Sequence, residues 1–218
     1  MFELSPKTYK TSPEHPDPEA INAATAIIEK GGVIAFPTTC LYGLGADAFS
    51  PEAVARLYDI KQRPTQKPIL ILINRRTDLK RLVRHIPQAA SRIMDRFWPG
   101  KITLVFEALP AVPECLTAGT GKIGIRQPGH PVAAALVKTF QGPVTGTSAN
   151  LSGSPGCRQI ADLDPQVARK LDLILDAGPL RGGSGSTVVD VTQDIPRILR
   201  VGQIGEQEIL AVEAAQTY

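Results

Sequence analysis

Lys61, Arg63 and Lys67 stand within seven residues of one another in IKQRPTQKP, just ahead of the aliphatic run Ile69–Ile73. Three cations at the mouth of a buried strand make a focused positive field, suited to phosphate groups. A plainer reading is a charged helix end followed by a solvated loop. Pro64 stops a helix that ends near Ile60, and cations at a helix C-terminus offset its macrodipole. That reading accounts for one cation comfortably. It leaves Lys67, which lies beyond the turn and directly before Pro68.

Four further stretches hold chemistry-bearing residues. Phe36–Gly45, FPTTCLYGLG, reads as a strand running into a loop of hydroxyls, a cysteine, a tyrosine and two glycines. Glycine allows close approach of backbone to a ligand, although the pattern is neither a Walker A loop nor a Rossmann fingerprint. Thr145–Gly153, TGTSANLSG, places hydroxyls and an amide after a strand, as a polar-ligand loop or an Asx/ST turn. Gly182–Thr187 reads as a linker or an anion-binding backbone nest. Arg126 and Arg200 each close a strand, KIGIR and RILR, either as solvated ends or as ligand contacts.

Several classes are excluded. There is no HExxH, CxxC or other metal-ligand spacing, and no GxSxG elbow for a hydrolase triad. Three cysteines in 218 residues, at 40, 115 and 157, argue against a disulfide framework and for a reducing compartment. Cys40 has no base partner in sequence and reads as a small pocket-lining residue. No apolar run approaches the roughly 20 residues of a membrane helix, and MFELSPKTYK has no signal-peptide pattern, so the expected location is cytoplasmic. A net charge of +3 permits a polyanionic partner without demanding one.

The elements that must position these residues alternate. Asp17-Pro18-Glu19 opens a helix closed by Gly31-Gly32, and Ser50-Pro51-Glu52 opens another. Further helices are expected over Pro87–Trp98, Pro131–Phe140, Asp164–Leu171 and Glu206–Ala214. Strands are expected at Val33–Phe36, Ile69–Ile73, Ile102–Phe106, Ile123–Arg126, Val144–Thr147, Leu173–Leu175, Thr187–Val191 and Arg197–Arg200. Residues 1–16, with three prolines and no period, read as an arm lying on the surface or disordered. Residues 17–218 form one expected α/β domain, a twisted mixed sheet with helices on its faces.

In this order, the segments GGVIAFPTTCLYGLGADA, LYDIKQRPTQKP, FWPGKITLV, IGIRQPGHP, TSANLSG, GSTVVD and ILRVG resemble the YrdC-like family, also called TsaC, of L-threonylcarbamoyladenylate synthases. The likeness spans roughly residues 20–204. Its most specific pieces are the KxR pair, Lys61 and Arg63, and the SxN loop, Ser148 and Asn150.

The resemblance implies a twisted sheet with a basic concave face. It also implies a reaction of L-threonine, bicarbonate and ATP to threonylcarbamoyl-AMP and pyrophosphate. Downstream transfer proteins would use the product to modify tRNA. Attack of a threonine carbamate on the α-phosphorus calls for positioning and cationic stabilisation. Lys61, Arg63 and Lys67 would face the triphosphate, Lys61 and Arg63 as the catalytic pair, with Mg²⁺ bridging phosphate oxygens and no protein-ligated metal. Lys122, Ser148, Asn150, Gly156 and Arg200 would complete the ATP site. Cys40, Leu72, Arg126, Gly146 and Ser186 would form the threonine site, with Arg126 on the carboxylate. Three positions depart from the family pattern: Cys40 where Thr or Ala is frequent, Leu72 where several members carry His, and Gly156 where Ser is common. The chain is also expected to lack the C-terminal domain of the longer family form. The competing expectations are a tRNA- or double-stranded-RNA-binding module using the same concavity, and a YciO-like paralogue with another substrate.

Overall fold

A computed structural model describes residues 6–214. Helix α1 (Pro18–Glu29) starts where expected: the Asp17 side chain accepts from Glu19 N at 2.9 Å and Pro18 occupies the first turn. Helix α2 (Pro51–Lys61) is capped by Ser50, which accepts from Ala53 N at 3.2 Å. It ends on Gln62, whose left-handed φ of 48° turns the chain out before Pro64. The other long helices are α3 (Gln88–Phe97), α5 (Pro131–Phe140) and α7 (Glu206–Ala214). The short helix α4 (Glu114–Thr117) was not anticipated. The expected Asp164–Leu171 helix shrinks to α6 (Pro165–Ala168).

The strands form a mixed α/β architecture in two sheets. The first orders β1 (Lys7–Lys10), β9 (Leu173–Asp176), β2 (Ile34–Pro37), β3 (Tyr42–Gly45) and β8 (Thr147–Ser148). The second orders β11 (Arg197–Arg200), β10 (Thr187–Asp190), β5 (Ile102–Glu107), β6 (Lys122–Arg126), β4 (Ile71–Leu72) and β7 (Val144–Thr145). Parallel pairs (β1 with β9, β4 with β6) sit beside antiparallel ones (β2 with β3, β5 with β6).

Three departures from the sequence reading have physical causes. Residues 7–10, read as part of an arm, pair in parallel with β9 as an edge strand. Residues 1–5 lie outside the described residues. Tyr42–Gly45, read as loop, is the return strand of a hairpin with β2. Its glycines make room for neighbours: a Cβ at Gly45 would meet the Phe36 ring at 2.8 Å. The single strand expected over Val144–Thr147 divides at Gly146, with β7 in one sheet and β8 in the other. Gly146 donates to Leu70 O at 2.9 Å, and a Cβ there would meet Leu70 Cδ1 at 2.8 Å. A residue without a side chain therefore carries the backbone from one sheet to the other.

Alternation along β5 and β6 sends Ile102, Leu104, Phe106, Ile123 and Ile125 into the main core, with α2 and α3 residues such as Leu57, Ile60 and Ile93. Thr103, Val105, Lys122, Gly124 and Arg126 point the other way, into a cleft. No helix among the described residues is long and apolar enough to cross a membrane.

Candidate active site

The cleft holds about 640 Å³ and lies where the two sheets diverge. One wall is the β2–β3 connection, Thr38–Leu41; another is the loop after β8; the floor is the polar face of β5, β6 and β10. Among the expected site residues, Cys40, Arg63, Leu72, Lys122, Arg126, Gly146, Ser148, Asn150, Gly156, Ser186 and Arg200 all line it. Lys61 and Lys67 do not.

Lys61 is 1% exposed at the end of α2. Its Nζ donates to Ser148 O, to Asn150 O at 2.9 Å and to Asn150 Oδ1 at 3.1 Å, while Ser152 N donates to Lys61 O at 2.8 Å. In this structure the ammonium is a clamp under the SxN loop. Burial, with the Arg63 charge adding to it, pushes its pKa down to about 8. Ser148 Oγ donates to Asn150 Oδ1, and Asn150 Nδ2 donates to Ser154 O, so the loop is tied internally as well. Lys67 is exposed. Its carbonyl accepts from Arg63 Nε at 3.0 Å and from Tyr58 Oη at 2.9 Å. The cation-rich stretch thus places one cation on the cleft, one beneath the neighbouring loop and one in solvent.

The three arginines of the cleft are held by neutral groups. Arg63 donates to the carbonyls of Lys67 and of Pro68, the latter at 2.9 Å. Arg126 donates to Gly100 O at 2.6 Å and Thr39 Oγ1 at 3.2 Å. Arg200 donates to Ser186 O at 2.8 Å, and Ser186 Oγ is 2.8 Å from Thr103 Oγ1. None of the three has a carboxylate partner among the described residues. Burial lowers all three pKa values, Arg126 to about 10, and the Arg200 charge further lowers Arg63 and Arg126. The guanidiniums stay charged at neutral pH, so the cleft concentrates positive charge at a desolvation cost. Lys122 differs: it pairs with Asp190 at 2.9 Å and donates to Thr192 Oγ1 at 2.7 Å. Burial raises Asp190, but the bonds from Thr192 and Lys122 outweigh it and hold the carboxyl below its ordinary pKa.

At Gly156 a Cβ would meet Leu41 Cδ1 at 2.9 Å, so Leu41 occupies the space a larger side chain needs. The sequence reading passed over Thr38, Thr39, Thr120, Asp190 and Gln203, all on the lining. Thr38 and Thr39 stood in the hydroxyl-rich stretch, and Asp190 closes GSTVVD; Gln203 carried no signal. Its Nε2 donates to Cys40 Sγ and, at 3.3 Å, to Ser184 O, while Oε1 is buried with no hydrogen-bond partner. No group of three His, Cys, Asp or Glu residues able to hold a metal occurs among the described residues.

Comparison with known proteins identifies the family. A family model covering Sua5, YciO and YrdC, described as telomere recombination, matches residues 26–202. Threonylcarbamoyl-AMP synthase of Bacillus subtilis is 40% identical over 204 residues, which is 90% of this chain and 57% of that protein. The Pyrococcus abyssi enzyme of the same name is 36% identical over 189 residues, 87% of this chain and 56% of its own length. The chain therefore spans little more than half of these relatives. A crystal structure of P. abyssi Sua5 complexed with L-threonine superposes with a TM-score of 0.90 at 35% identity, over 94% of this chain and 60% of that one.

Proposed function

Because the chain belongs to the Sua5/YciO/YrdC family, we propose that it joins L-threonine, bicarbonate and ATP into L-threonylcarbamoyl-AMP. One observation carries this reading. Arg63, Arg126 and Arg200 line one cleft with no carboxylate among the described residues to neutralise them. Guanidiniums gathered in one cleft without a carboxylate partner suit a polyanion and a carboxylate arriving together.

The threonine amine condenses with bicarbonate to a carbamate, with loss of water. A carbamate oxygen then attacks the α-phosphorus of ATP; the new P–O bond forms as the bond to the β-phosphate oxygen breaks, and pyrophosphate leaves. The amino acid lies at the Arg126 end, its carboxylate on that guanidinium, near Cys40, Leu72, Gly146 and Ser186. The L-threonine bound by P. abyssi Sua5 supports that class of substrate. The nucleotide lies toward Arg63, Arg200, Lys122 and the Ser148–Gly156 loop, with Arg63 stabilising charge on the phosphates as they separate. Lys61 acts from below, fixing the loop that carries Ser148 and Asn150. Lys67 contributes long-range field from the rim. Mg²⁺ would arrive on the phosphate oxygens of ATP; Asp190, the carboxylate of the lining, is already engaged by Lys122 and Thr192. The product would serve threonylcarbamoylation of tRNA, performed in the cytoplasm by separate transfer proteins.

The test is incubation with ATP, bicarbonate and single amino acids, read by mass spectrometry. A threonylcarbamoyl adenylate that needs both threonine and bicarbonate is expected. Pyrophosphate release indifferent to threonine would overturn the assignment.

A further inference from the structure

A second concentration of charge lies outside the cleft. Residues 75–84, RRTDLKRLVR, hold five cations and one acid, a net +4, whereas the whole chain carries +3. All other residues together therefore sum to −1. The excess positive charge of this protein belongs to one ten-residue segment, and the cleft uses none of it.

Local geometry explains how the charge is displayed. Arg76–Arg81 is a 3₁₀ helix, in which side chains three residues apart stack in one row. Leu79 and Leu82 share a row and, with Val83, are buried in the main core. Arg75, Asp78 and Arg81 share another, Lys80 stands next to it, and Arg84 follows beyond the helix; these four cations are exposed. The ridge is anchored by backbone: Leu109 N donates to Leu82 O and Arg84 N to Glu107 O, both at 2.9 Å. Its countercharges are few. Asp78 lies 3.9 Å from Arg81, and Asp95 takes Arg76. Arg75, Lys80 and Arg84 have no carboxylate partner among the described residues.

We propose that this ridge is a second binding surface, taking the phosphate backbone of a folded RNA outside the cleft. The composition selects the partner. The large apolar side chains that are exposed, Phe49, Ile195, Leu199, Val201 and Leu210, all lie elsewhere. The ridge thus lacks the apolar centre of a protein interface and the apolar wedge of a membrane-surface helix. Four of its five cations are arginine, whose planar fork matches phosphate oxygens. At about 2 Å per residue the ridge is long enough to meet several phosphates of a duplex, which carries a charge every ~1.7 Å of axis. The choice of RNA over DNA rests on the function proposed above; the phosphate chemistry does not.

The test is anisotropy titration of an RNA stem-loop, with a DNA duplex of equal length beside it, at low and physiological salt. The titration is run with and without ATP and threonine, and pyrophosphate release is measured on the same preparations. Arg75→Ser/Lys80→Ser/Arg81→Ser is expected to weaken RNA binding at least tenfold and to flatten its salt dependence. Arg75→Lys/Arg81→Lys should keep most of the affinity, and every variant should release pyrophosphate at the wild-type rate. ATP should leave the RNA bound. An RNA affinity untouched by the triple substitution would sink the proposal. So would displacement of RNA by ATP, which would place it in the cleft, or DNA binding as tight as RNA. Should RNA bind through the ridge while no threonine-dependent pyrophosphate appears, the reaction assignment fails and this surface stands.

Discussion

Arg56 and Arg126 are both partly withdrawn from water, but their surroundings differ in kind. On the outer brace between α2 and β9, Arg56 grips Asp172 through two nitrogens, at 2.6 and 3.0 Å, and adds Lys170 O at 2.8 Å. Asp172 also accepts from Val33 N at 2.7 Å, tying helix, strand and loop together. Along the cleft, Arg63, Arg126 and Arg200 are oriented by carbonyls and hydroxyls, which fix a guanidinium without neutralising it. The brace completes its charge pair within the fold. The cleft leaves its charges unpaired, and the fold carries the cost of Arg63 and Arg126, partly desolvated and each repelled by Arg200.

Arg63→Ala should break the comparison most sharply. Threonine-dependent pyrophosphate release should fall by roughly 10²–10³-fold, the cost of removing one preorganised charge from a transition state. Its thermal midpoint should hold or rise, because a repelling cation has gone. A falling midpoint with intact turnover would mean that Arg63 serves structure.

Lys61→Ala should affect both properties. It leaves the Ser148 and Asn150 carbonyls without their donor, at about 1–3 kcal/mol, and frees the SxN loop. A lower denaturation midpoint together with a raised KM for ATP is expected; unchanged stability would contradict the clamp.

The lowered Lys61 pKa makes a signed prediction. The folded value is about 8 against 10.5 for the ordinary group, so between these values the unfolded chain binds more protons at this site. The stability of the wild type relative to Lys61→Met should therefore rise across that window. Turnover should fall over the same interval, as the clamp loses its charge. Melting curves and rates at matched pH values check both signs.

Arg126→Lys keeps the charge but loses the fork that bonds Gly100 O and Thr39 Oγ1. The KM for threonine should rise about tenfold with kcat less affected, as expected for lost ground-state and transition-state binding alike. The smallest effect belongs to the brace. Arg56→Ala should cost no more than about 1 kcal/mol, since the pair is partly solvated, and should leave turnover unchanged.

Much of the fold was legible because its signals are local. Asp17-Pro18 and Ser50-Pro51 start helices by satisfying their own amides, and Pro131–Phe140 and Arg197–Arg200 keep their expected bounds. Legibility failed where tertiary contact outvoted local preference. Tyr42–Gly45 is glycine-rich yet forms a strand because Phe36 needs the space above Gly45. The Val144–Thr147 run could not reveal that Gly146 would hand it from one sheet to the other. Gln203 was invisible because it reaches Cys40 only through a 163-residue loop closure.

The chain's own residues determined that clustered cations, hydroxyl-rich loops and alternating strands and helices would occur, since residue type and spacing are local facts. Which cation meets the cleft was decided only in three dimensions. Lys61 and Arg63 are two residues apart, but α2 ends between them on a left-handed turn. One side chain therefore drops under the SxN loop while the other reaches the cleft wall. Charge can be counted along a chain. The side of a sheet it faces, and whether a carboxylate waits there, depends on where distant strands bring their ends.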